Sequence, residues 1–395
     1  MAADAVLRDA PPARWSWKIA TAVLAGVALV AVTGRLLVEN PIKHTVFDVF
    51  HMAGQQWAAG GDYYGDPVHV FRWSPTAAAC FVPWSLLPER TAEVLWRWTN
   101  AAVLAAGLGW WVREFLAAWP SQRRWLLAFA LGVGALANIN NGQVNPLMLA
   151  AILAGFVAAR RERWNLCAAL FAVTAALKVY PLALGMLLAA LHPRRLALRL
   201  ATATAVGFAL AFVCQRPAYV AEQYRQWATF LRGDLRLELP LEDGYRDLWS
   251  LLRLCHVAVP QAFYFAIQLG SGAAAAAYCW WLARRRGRHA GEDAALTLGL
   301  CWCMLCGPAT EPVTYLLLLP VALRAVLDPA APSGTARMLA WTALGLLAVA
   351  EMLGTLSDAK YLNMWGFQPV AALLLTVRTV AFPPRGEEAR HASDG

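Results

Sequence analysis

The polar stretch between His44 and Pro75 is the first part of this sequence where side chains could do chemistry. If a helix begins at about Thr45, its polar side chains fall at i, i+4, i+7 and i+11, on one face, and the helix should stop at Gly60–Gly61, where two glycines break the pattern. These polar side chains are His44, Asp48, His51 and Gln55. Such a helix, next to a transmembrane segment, would lie in the interface and hold the Asp48 carboxylate toward something polar. Taken alone, Asp48 would be interpreted as a solvated residue of an amphipathic helix.

Charged and amide side chains also lie at the ends of several apolar segments. Lys178 follows an apolar helix, and a lysine there either contacts an anion such as a phosphate or snorkels to the interface. A dense amide cluster could bind sugar hydroxyls, because amides both donate and accept hydrogen bonds. The same residues also favour turns, and we give the turn interpretation slightly more weight. The cluster comprises Asn138, Asn140, Asn141, Gln143 and Asn145. Glu311 could be a second acid, a metal ligand or, as its position before Pro312 favours, the start of a helix.

Composition places the chain in a membrane. Of its 395 residues, 59% are hydrophobic and only 15% are charged, a balance that a soluble chain of this length would find hard to keep in solution. Its formal charge of +9 is carried largely by short basic clusters between apolar runs, as the positive-inside rule requires. These clusters are Arg123–Arg124, Arg160–Arg163, Arg194–Arg195 and Arg284–Arg288. We therefore expect membrane lipids as partners, and no nucleic acid.

The apolar runs predict an all-α polytopic membrane protein, a single domain over residues 1–395 with about 12 transmembrane helices. The first span, 19–38, has no evident cleavage site, so we expect the N-terminus in the cytoplasm and the loop 40–90, with its interfacial helix, outside. The other predicted spans are 92–112, 125–139, 144–159, 164–178, 180–191, 196–213, 258–283, 293–307, 312–327, 338–356 and 365–381. Residues 75–88 are apolar but too short for a standard span, so they form a re-entrant or interfacial piece or a thirteenth span.

The same topology predicts what lies on each side of the membrane. We expect a second large outer loop at 214–257 and the C-terminal tail 383–395 in the cytoplasm. The membrane would be the inner membrane of the cell. The predicted spans between 144 and 191 are only about 12 to 16 residues long. Their tips, which meet at Lys178–Pro181, should therefore line a cavity below the outer surface.

Neither cysteines nor carboxylates have the spacing of a metal site. The eight cysteines lie mostly in apolar runs, as Cys80, Cys167 and Cys279 do, which favours buried small residues over ligands. Outer carboxylates leave a divalent metal open, but the spacing typical of hard-cation ligands is absent. These carboxylates are Asp48, Asp62, Asp66 and Glu311. We predict no cofactor and no bound metal.

Four stretches, together with an outer loop directly after the first span, resemble the polytopic glycosyltransferases of the GT-C type. The resemblance is strongest to family 87, the polyprenol-phosphate-mannose-dependent mannosyltransferases. That family carries an Asp in the first outer loop, a Gly and Tyr before an aromatic-x-x-Pro segment, a Gly-Gln-x-Asn turn and a Leu-Lys-x-x-Pro turn. The corresponding residues are Asp48, Gly61, Tyr64, Trp73–Pro75, Gly142, Gln143, Asn145 and Lys178–Pro181.

The resemblance implies a GT-C-like fold that moves a hexose, by default mannose, from a polyprenyl-phosphate donor to an outer glycolipid or glycan acceptor. It implies that Asp48 is the general base and that the reaction inverts the anomeric carbon. The substrate-binding residues would be His51, Tyr64, Arg72, Asn141, Gln143, Asn145, Lys178, Tyr180 and Glu311. One departure matters: where the family often has a histidine near the lipid phosphate, this chain has the segment 310–315 with Glu311. Either Arg72, Lys178 or His51 would then have to hold the phosphate, or the donor site has changed.

Two other classes of protein remain open from the residues. A lipid or solute transporter or flippase without catalysis predicts charges deep in the spans, and Glu351 is a possible example. A membrane scaffold without activity explains the spans but not the polar face at Asp48. Most of the polar residues lie in outer loops and at the tips of spans, which favours the glycosyltransferase. The sequence does not identify the sugar or the acceptor.

Overall fold

The computed structural model shows a helical protein, and the residues that it describes contain no β-strand. They are residues 16–39, 42, 45–64, 71–232, 241, 245–307, 310–329, 334–355 and 365–383. Of the residues considered above, His44, Asp66 and the tail beyond residue 383 lie outside the described residues.

The described part of the chain forms seventeen α-helices. They are α1 (Trp17–Val38), α2 (Phe47–Ala59), α3 (Pro75–Ser85), α4 (Glu89–Phe115), α5 (Ser121–Asn140), α6 (Asn145–Arg160), α7 (Trp164–Leu177), α8 (Leu182–Leu191), α9 (Leu198–Ala209), α10 (Ala211–Cys214), α11 (Pro217–Arg232), α12 (Leu248–Leu254), α13 (Gln261–Arg286), α14 (Arg288–Cys306), α15 (Leu319–Leu327), α16 (Gly334–Thr355) and α17 (Phe367–Ala381). A π-helical turn, Pro193–Ala197, leads into α9, and a 3-10 helix, Pro312–Leu318, leads into α15.

Every predicted span coincides with a helix or with a short succession of helices, and the chain is a helical membrane protein. Three helical stretches are long and apolar enough to cross a bilayer: Trp17–Val38, Pro193–Cys214 and Gly334–Leu353. Several other apolar helices have fewer than the roughly 20 residues that a straight span needs, so the count of 12 spans is not established. The segment 75–88, for which the sequence left re-entrant, interfacial and spanning arrangements open, contains α3, and α3 has only 11 residues.

Helix α6 lies at the centre of the bundle, because nearly all of its residues up to Ala159 are buried. Its neighbours approach it closely at glycines. A Cβ atom added to Gly107 of α4 would lie 2.7 Å from the Cβ of Ala150, and one added to Gly155 would lie 2.8 Å from the Phe171 ring of α7. Helix α6 therefore fixes α4 and also α7, which leads directly into Lys178.

The basic clusters, which the sequence linked to the positive-inside rule, also form ion pairs with buried carboxylates. The Arg160 Nη2 atom lies 2.6 Å from Asp293 Oδ1, and Arg324 of α15 donates to the other oxygen of Asp293. The neighbouring Glu292 accepts from Arg288 Nε at 2.7 Å. Asp293 and Glu292 are buried, so these ion pairs join α6, α14 and α15 inside the arginine-rich end of the bundle.

Candidate active site

Asp48 lies in the first turn of α2, directly after Phe47. Its side chain is half-buried, and its Oδ1 atom accepts a hydrogen bond from the Val49 amide at 2.8 Å. A negative charge is favoured in the first turn of a helix, because the helix dipole places positive potential there. The helix ends at Gly60, as the sequence predicts, and the positive φ of this residue, 72°, suits glycine.

The aromatic face of α2 packs on protein. The Phe50 ring stacks on Phe81 of α3 with centroids 4.5 Å apart, and it contacts Trp73 at 4.6 Å. His51 was expected on the polar face, but only 8% of it is exposed, and its Nε2 atom lies 3.4 Å from the Leu87 carbonyl oxygen. His51 therefore contacts protein, because α3 and the residues after it cover that side of α2.

The start of α2 rests on a buried ion pair that the sequence analysis missed. Glu93 and Arg97, one turn apart on α4, form this ion pair, and both side chains are fully buried. Arg97 also donates to the Asn140 carbonyl oxygen at 3.1 Å and to the Thr45 hydroxyl oxygen at 3.1 Å. The Thr45 hydroxyl donates to Glu93 at 2.9 Å. These bonds satisfy both buried charges and fix the chain three residues before Asp48.

The turn between α5 and α6 also supports the start of α2. The Val46 amide donates to the Asn141 carbonyl oxygen at 2.9 Å, and the Trp96 Nε1 atom donates to the Gly142 carbonyl oxygen at 2.7 Å. Gly142 has a φ of 71°, and a Cβ atom there would lie 3.1 Å from the Phe47 Cβ. The Gly-Gln-x-Asn turn therefore needs its glycine, because α2 lies directly against it.

The other end of α2 is held by the segment that begins α11. Gln215 donates to the Trp57 carbonyl oxygen at 3.0 Å, and the Tyr219 hydroxyl donates to the Gly61 carbonyl oxygen at 2.8 Å. Tyr64, a predicted substrate-binding residue, donates its hydroxyl to the Trp73 carbonyl oxygen at 2.6 Å. Burial raises the pKa of the Tyr64 phenol above its ordinary value, so the hydroxyl stays protonated and holds the loop to the segment before α3.

A cavity of about 310 Å³ opens at the turn between α7 and α8, where the sequence predicts one. Its lining includes Arg72, Lys178, Tyr180 and Glu311, which the sequence placed among the candidate substrate-binding residues. The cavity therefore combines two cations and one carboxylate with an otherwise apolar wall. Asp48, His51, Asn141 and Gln143 do not line it.

Lys178 is positioned by a chain of buried amides. Its Nζ atom donates to Asn145 Oδ1 at 3.3 Å, Asn145 donates to Asn138 Oδ1 at 2.9 Å, and Asn138 donates to the Val313 carbonyl oxygen at 3.0 Å. The amides of Asn138 and Asn145 thus connect the two turns with the 3-10 helix. An anion in the cavity would favour the charged form of the Lys178 ammonium.

Glu311 has the helix-start position that the sequence favours, since it directly precedes the 3-10 helix at Pro312. Its side chain makes no capping hydrogen bond. Among the described residues, the carboxylate has no hydrogen-bond donor, although it lines the cavity beside Lys178. Glu311 is therefore oriented toward the cavity and available to a ligand there.

The outer wall of the cavity comes from α11, which lies in the predicted second outer loop, 214–257. Trp227, Phe230 and Leu231 of this helix line the cavity. The Trp227 Nε1 atom donates to the Arg72 carbonyl oxygen at 3.2 Å, and the Arg72 guanidinium carbon lies 5.6 Å from the centre of the Phe230 ring. Aromatic side chains next to cations suit a ligand that carries both an apolar face and an anion.

Replacing Trp227 with alanine should raise the KM for a substrate bound in this cavity up to about tenfold, because an aromatic contact contributes about 0.5–1.5 kcal/mol beyond area burial. Trp227→Phe keeps the ring but loses the hydrogen bond to Arg72, so a smaller increase is expected. Trp341→Ala, which changes an exposed tryptophan of α16, is the matched control. Equal KM values for Trp227→Ala and Trp341→Ala would contradict this role for α11.

Carboxylates and cysteines are dispersed in the structure. Among the described residues, no group of three or more His, Cys, Asp or Glu side chains could hold a metal ion. Five of the eight cysteines are buried, whereas Cys80, Cys214 and Cys255 are exposed. The expectation that Cys80 is buried is therefore wrong.

The helix that carries Asp48 and the cavity at Lys178 are neighbours, since Phe50 of α2 contacts Trp73 of the cavity wall. The sequence matches the model of glycosyltransferase family 87 over residues 71–308, which is more than half of the chain. This segment includes Arg72, the amide cluster and Lys178, whereas Asp48 and Glu311 lie outside it. No curated protein matches the chain significantly. The chain thus belongs to glycosyltransferase family 87, and it is a membrane glycosyltransferase rather than a transporter or a scaffold.

Proposed function

We propose that this enzyme transfers a hexose, by default mannose, from a polyprenyl-phosphate sugar to a glycolipid or glycan acceptor. The reaction would take place on the extracytoplasmic side of a multi-pass protein of the inner membrane, with both termini in the cytoplasm. The observation that supports the proposal most is the cavity between α7, α8 and α11, which combines Arg72 and Lys178 with aromatic side chains. A lipid-linked donor has a phosphodiester that cations would bind and a sugar that aromatic rings would contact.

Lys178 and Arg72 would bind the phosphate that leaves. An ammonium group has three N–H donors, and within the described residues Lys178 uses one of them, toward Asn145. The phosphodiester departs as a stable anion and needs no proton from an acid. Cations in a water-poor cavity would stabilise the negative charge that develops as the bond to the anomeric carbon breaks.

Asp48 would act as the general base. As the acceptor hydroxyl attacks the anomeric carbon, its proton passes to the Asp48 carboxylate, and the bond between that carbon and the phosphate oxygen breaks. Attack from the side opposite the leaving phosphate inverts the anomeric configuration. One carboxylate is sufficient here, whereas a glycosidase needs a second one to protonate its leaving group.

Glu311 and Trp227 would bind the sugar. A carboxylate accepts hydrogen bonds from sugar hydroxyls, and the Glu311 carboxylate lines the cavity without a donor among the described residues. The Trp227 and Phe230 rings offer apolar surfaces in the same wall. In this proposal Glu311 recognises the sugar and does not contact the phosphate, because two anions would repel each other.

Replacing Lys178 with glutamine should lower kcat about 10²-fold or more, the usual cost of removing one donor that stabilises developing charge. Lys178→Arg keeps the cation and should lose less. Lys18→Gln removes a lysine from the exposed start of α1 and serves as a control. Steady-state transfer by the purified variants measures the effect, and wild-type turnover by Lys178→Gln would remove this residue from the proposal.

A comparison of donors tests the proposed function. The purified protein, in vesicles with a lipid acceptor extract, is given labelled mannose either as polyprenyl-phosphate-mannose or as a nucleotide-linked sugar. We expect transfer from the polyprenyl-phosphate donor alone. Equal transfer from the nucleotide sugar would contradict the proposed donor. Transfer from another polyprenyl-phosphate hexose but not from mannose would correct the sugar and keep the donor class.

A further inference from the structure

A second cavity, of about 560 Å³, lies between α1, α4 and α5, in a part of the molecule that the proposed reaction does not use. Its wall is almost entirely apolar, with side chains such as Leu24, Leu104 and Leu131. Small residues, including Ala105 and Gly109 of α4, leave room in it. Its volume falls in the range typical of ligand pockets.

Helix α1 is joined to α5 at both of its ends. Arg35 Nη2 donates to the Asn140 carbonyl oxygen at 3.1 Å, and at the other end the Thr21 hydroxyl donates to a backbone carbonyl oxygen of α5 at 3.3 Å. Helix α4 is joined to α1 at Thr33, whose hydroxyl accepts from Trp98 Nε1 at 3.0 Å. From this contact toward the arginine-rich end, side chains of α1, α4 and α5 line the apolar space between them.

Two arginines line the cavity at the arginine-rich end, Arg113 of α4 and Arg124 of α5. Within the described part of the chain, neither guanidinium has a hydrogen bond or an ion pair. Other arginines at this end are paired: Arg160 binds Asp293, and Arg161 Nε lies 2.7 Å from Glu114. A positive charge at the mouth of an apolar cavity complements a ligand with an apolar chain and an anionic head.

The length of the cavity indicates which kind of chain it takes. From Arg124 to Ile139, both of which line it, α5 rises by about 22 Å at 1.5 Å per residue. One leaflet is about half of the roughly 30 Å hydrocarbon core, so a single acyl chain from the arginine-side leaflet fits. The polyprenyl donor would have its phosphate at Lys178, toward the opposite end of the bundle, and would place no anion at these arginines.

We propose that this cavity binds one acyl chain of an anionic diacyl phospholipid of the membrane, with the lipid phosphate between Arg113 and Arg124. The second acyl chain stays in the surrounding bilayer. The bound chain fills the space between α1, α4 and α5 and so fixes the first span against the bundle. This site is independent of the proposed sugar transfer.

The test uses the full-length protein in a neutral detergent, with phosphatidylglycerol and phosphatidylcholine of identical acyl chains as probes, and native mass spectrometry as the readout. Wild type should retain phosphatidylglycerol in preference to phosphatidylcholine. The double variant Arg113→Gln/Arg124→Gln should bind phosphatidylglycerol about 30-fold more weakly, since each basic residue near a lipid head contributes about fivefold. Arg123→Gln is the matched control, because its guanidinium lies outside the cavity and donates to the Leu327 carbonyl oxygen at 3.1 Å.

A second variant tests the place of the chain and leaves both arginines intact. Gly109→Leu should fit, because an added Cβ would meet only Arg113 Nη2, at 4.0 Å, and the leucine should then displace the acyl chain and abolish retention of the lipid. Unchanged affinity for phosphatidylglycerol in either variant overturns the proposal. Equal retention of phosphatidylcholine by wild type overturns it as well, as does a co-purified polyprenyl phosphate in the cavity that is insensitive to the arginine changes.

Discussion

Replacing Asp48 with asparagine should lower kcat for sugar transfer by about 10²–10⁴-fold, the usual contribution of a positioned general base. Asparagine has nearly the same shape, so α2 should keep its position, but the amide cannot take the proton of the acceptor hydroxyl. The KM for the donor should change little, because the leaving phosphate contacts Arg72 and Lys178 in the proposed complex. Initial rates of the purified variant, measured beside its thermal unfolding, separate the lost base from a folding defect.

Asp62→Asn is the matched control for this variant. It makes the same chemical change in the loop after α2, where the Asp62 carboxylate accepts from the Tyr64 amide at 3.0 Å. Near-normal turnover is expected. If Asp48→Asn turned over like wild type, the base would have to be another carboxylate, and Glu311 in the cavity wall would be the next to replace.

Replacing Arg97 with methionine should destabilise the protein by about 3–5 kcal/mol, because it leaves the Glu93 carboxylate buried without its partner. The start of α2 should also loosen, since Thr45 and Asn140 lose their shared donor. We therefore expect a lower unfolding temperature in detergent together with reduced turnover, although Arg97 contacts no substrate.

The double variant Glu93→Leu/Arg97→Met shows whether the charge causes this effect. Replacing both partners of a buried ion pair by apolar residues is often neutral or stabilising, so the double variant should recover most of the lost stability. Equal loss in the single and double variants would mean that shape, and not charge, holds α2 in place. An unchanged unfolding temperature of Arg97→Met would contradict the role of the pair.

The helices were predictable because membrane-spanning segments are long apolar runs with sharp polar ends. The sequence predicted α2 together with its end at Gly60. It also named Arg72, Lys178, Tyr180 and Glu311 as candidate substrate-binding residues, and these four residues line one cavity. A glycine with a positive φ is required by its local backbone, and a motif is also a local pattern, so both can be predicted from the sequence.

Glu93 and Arg97 were missed because they lie near the polar start of α4, where charges at the edge of an apolar run are expected to be solvated. Their spacing of four residues was the available signal, since it places both on one face of a helix. In α11 the signal was also periodic, with Val220, Tyr224, Trp227 and Leu231 on one side, but charges of both signs obscured it. His51 is different, because a single helix contains no information about which neighbour will cover it.

The most direct measurement follows a ¹³C-labelled sugar from polyprenyl-phosphate-mannose into product by NMR, with wild-type protein in vesicles. It reports the donor and the stereochemistry together. We expect the label in a new glycoside whose anomeric configuration is opposite to that of the donor, as a single displacement assisted by Asp48 requires. A product that retains the configuration of the donor, or a label that never leaves the polyprenyl phosphate, would contradict this mechanism.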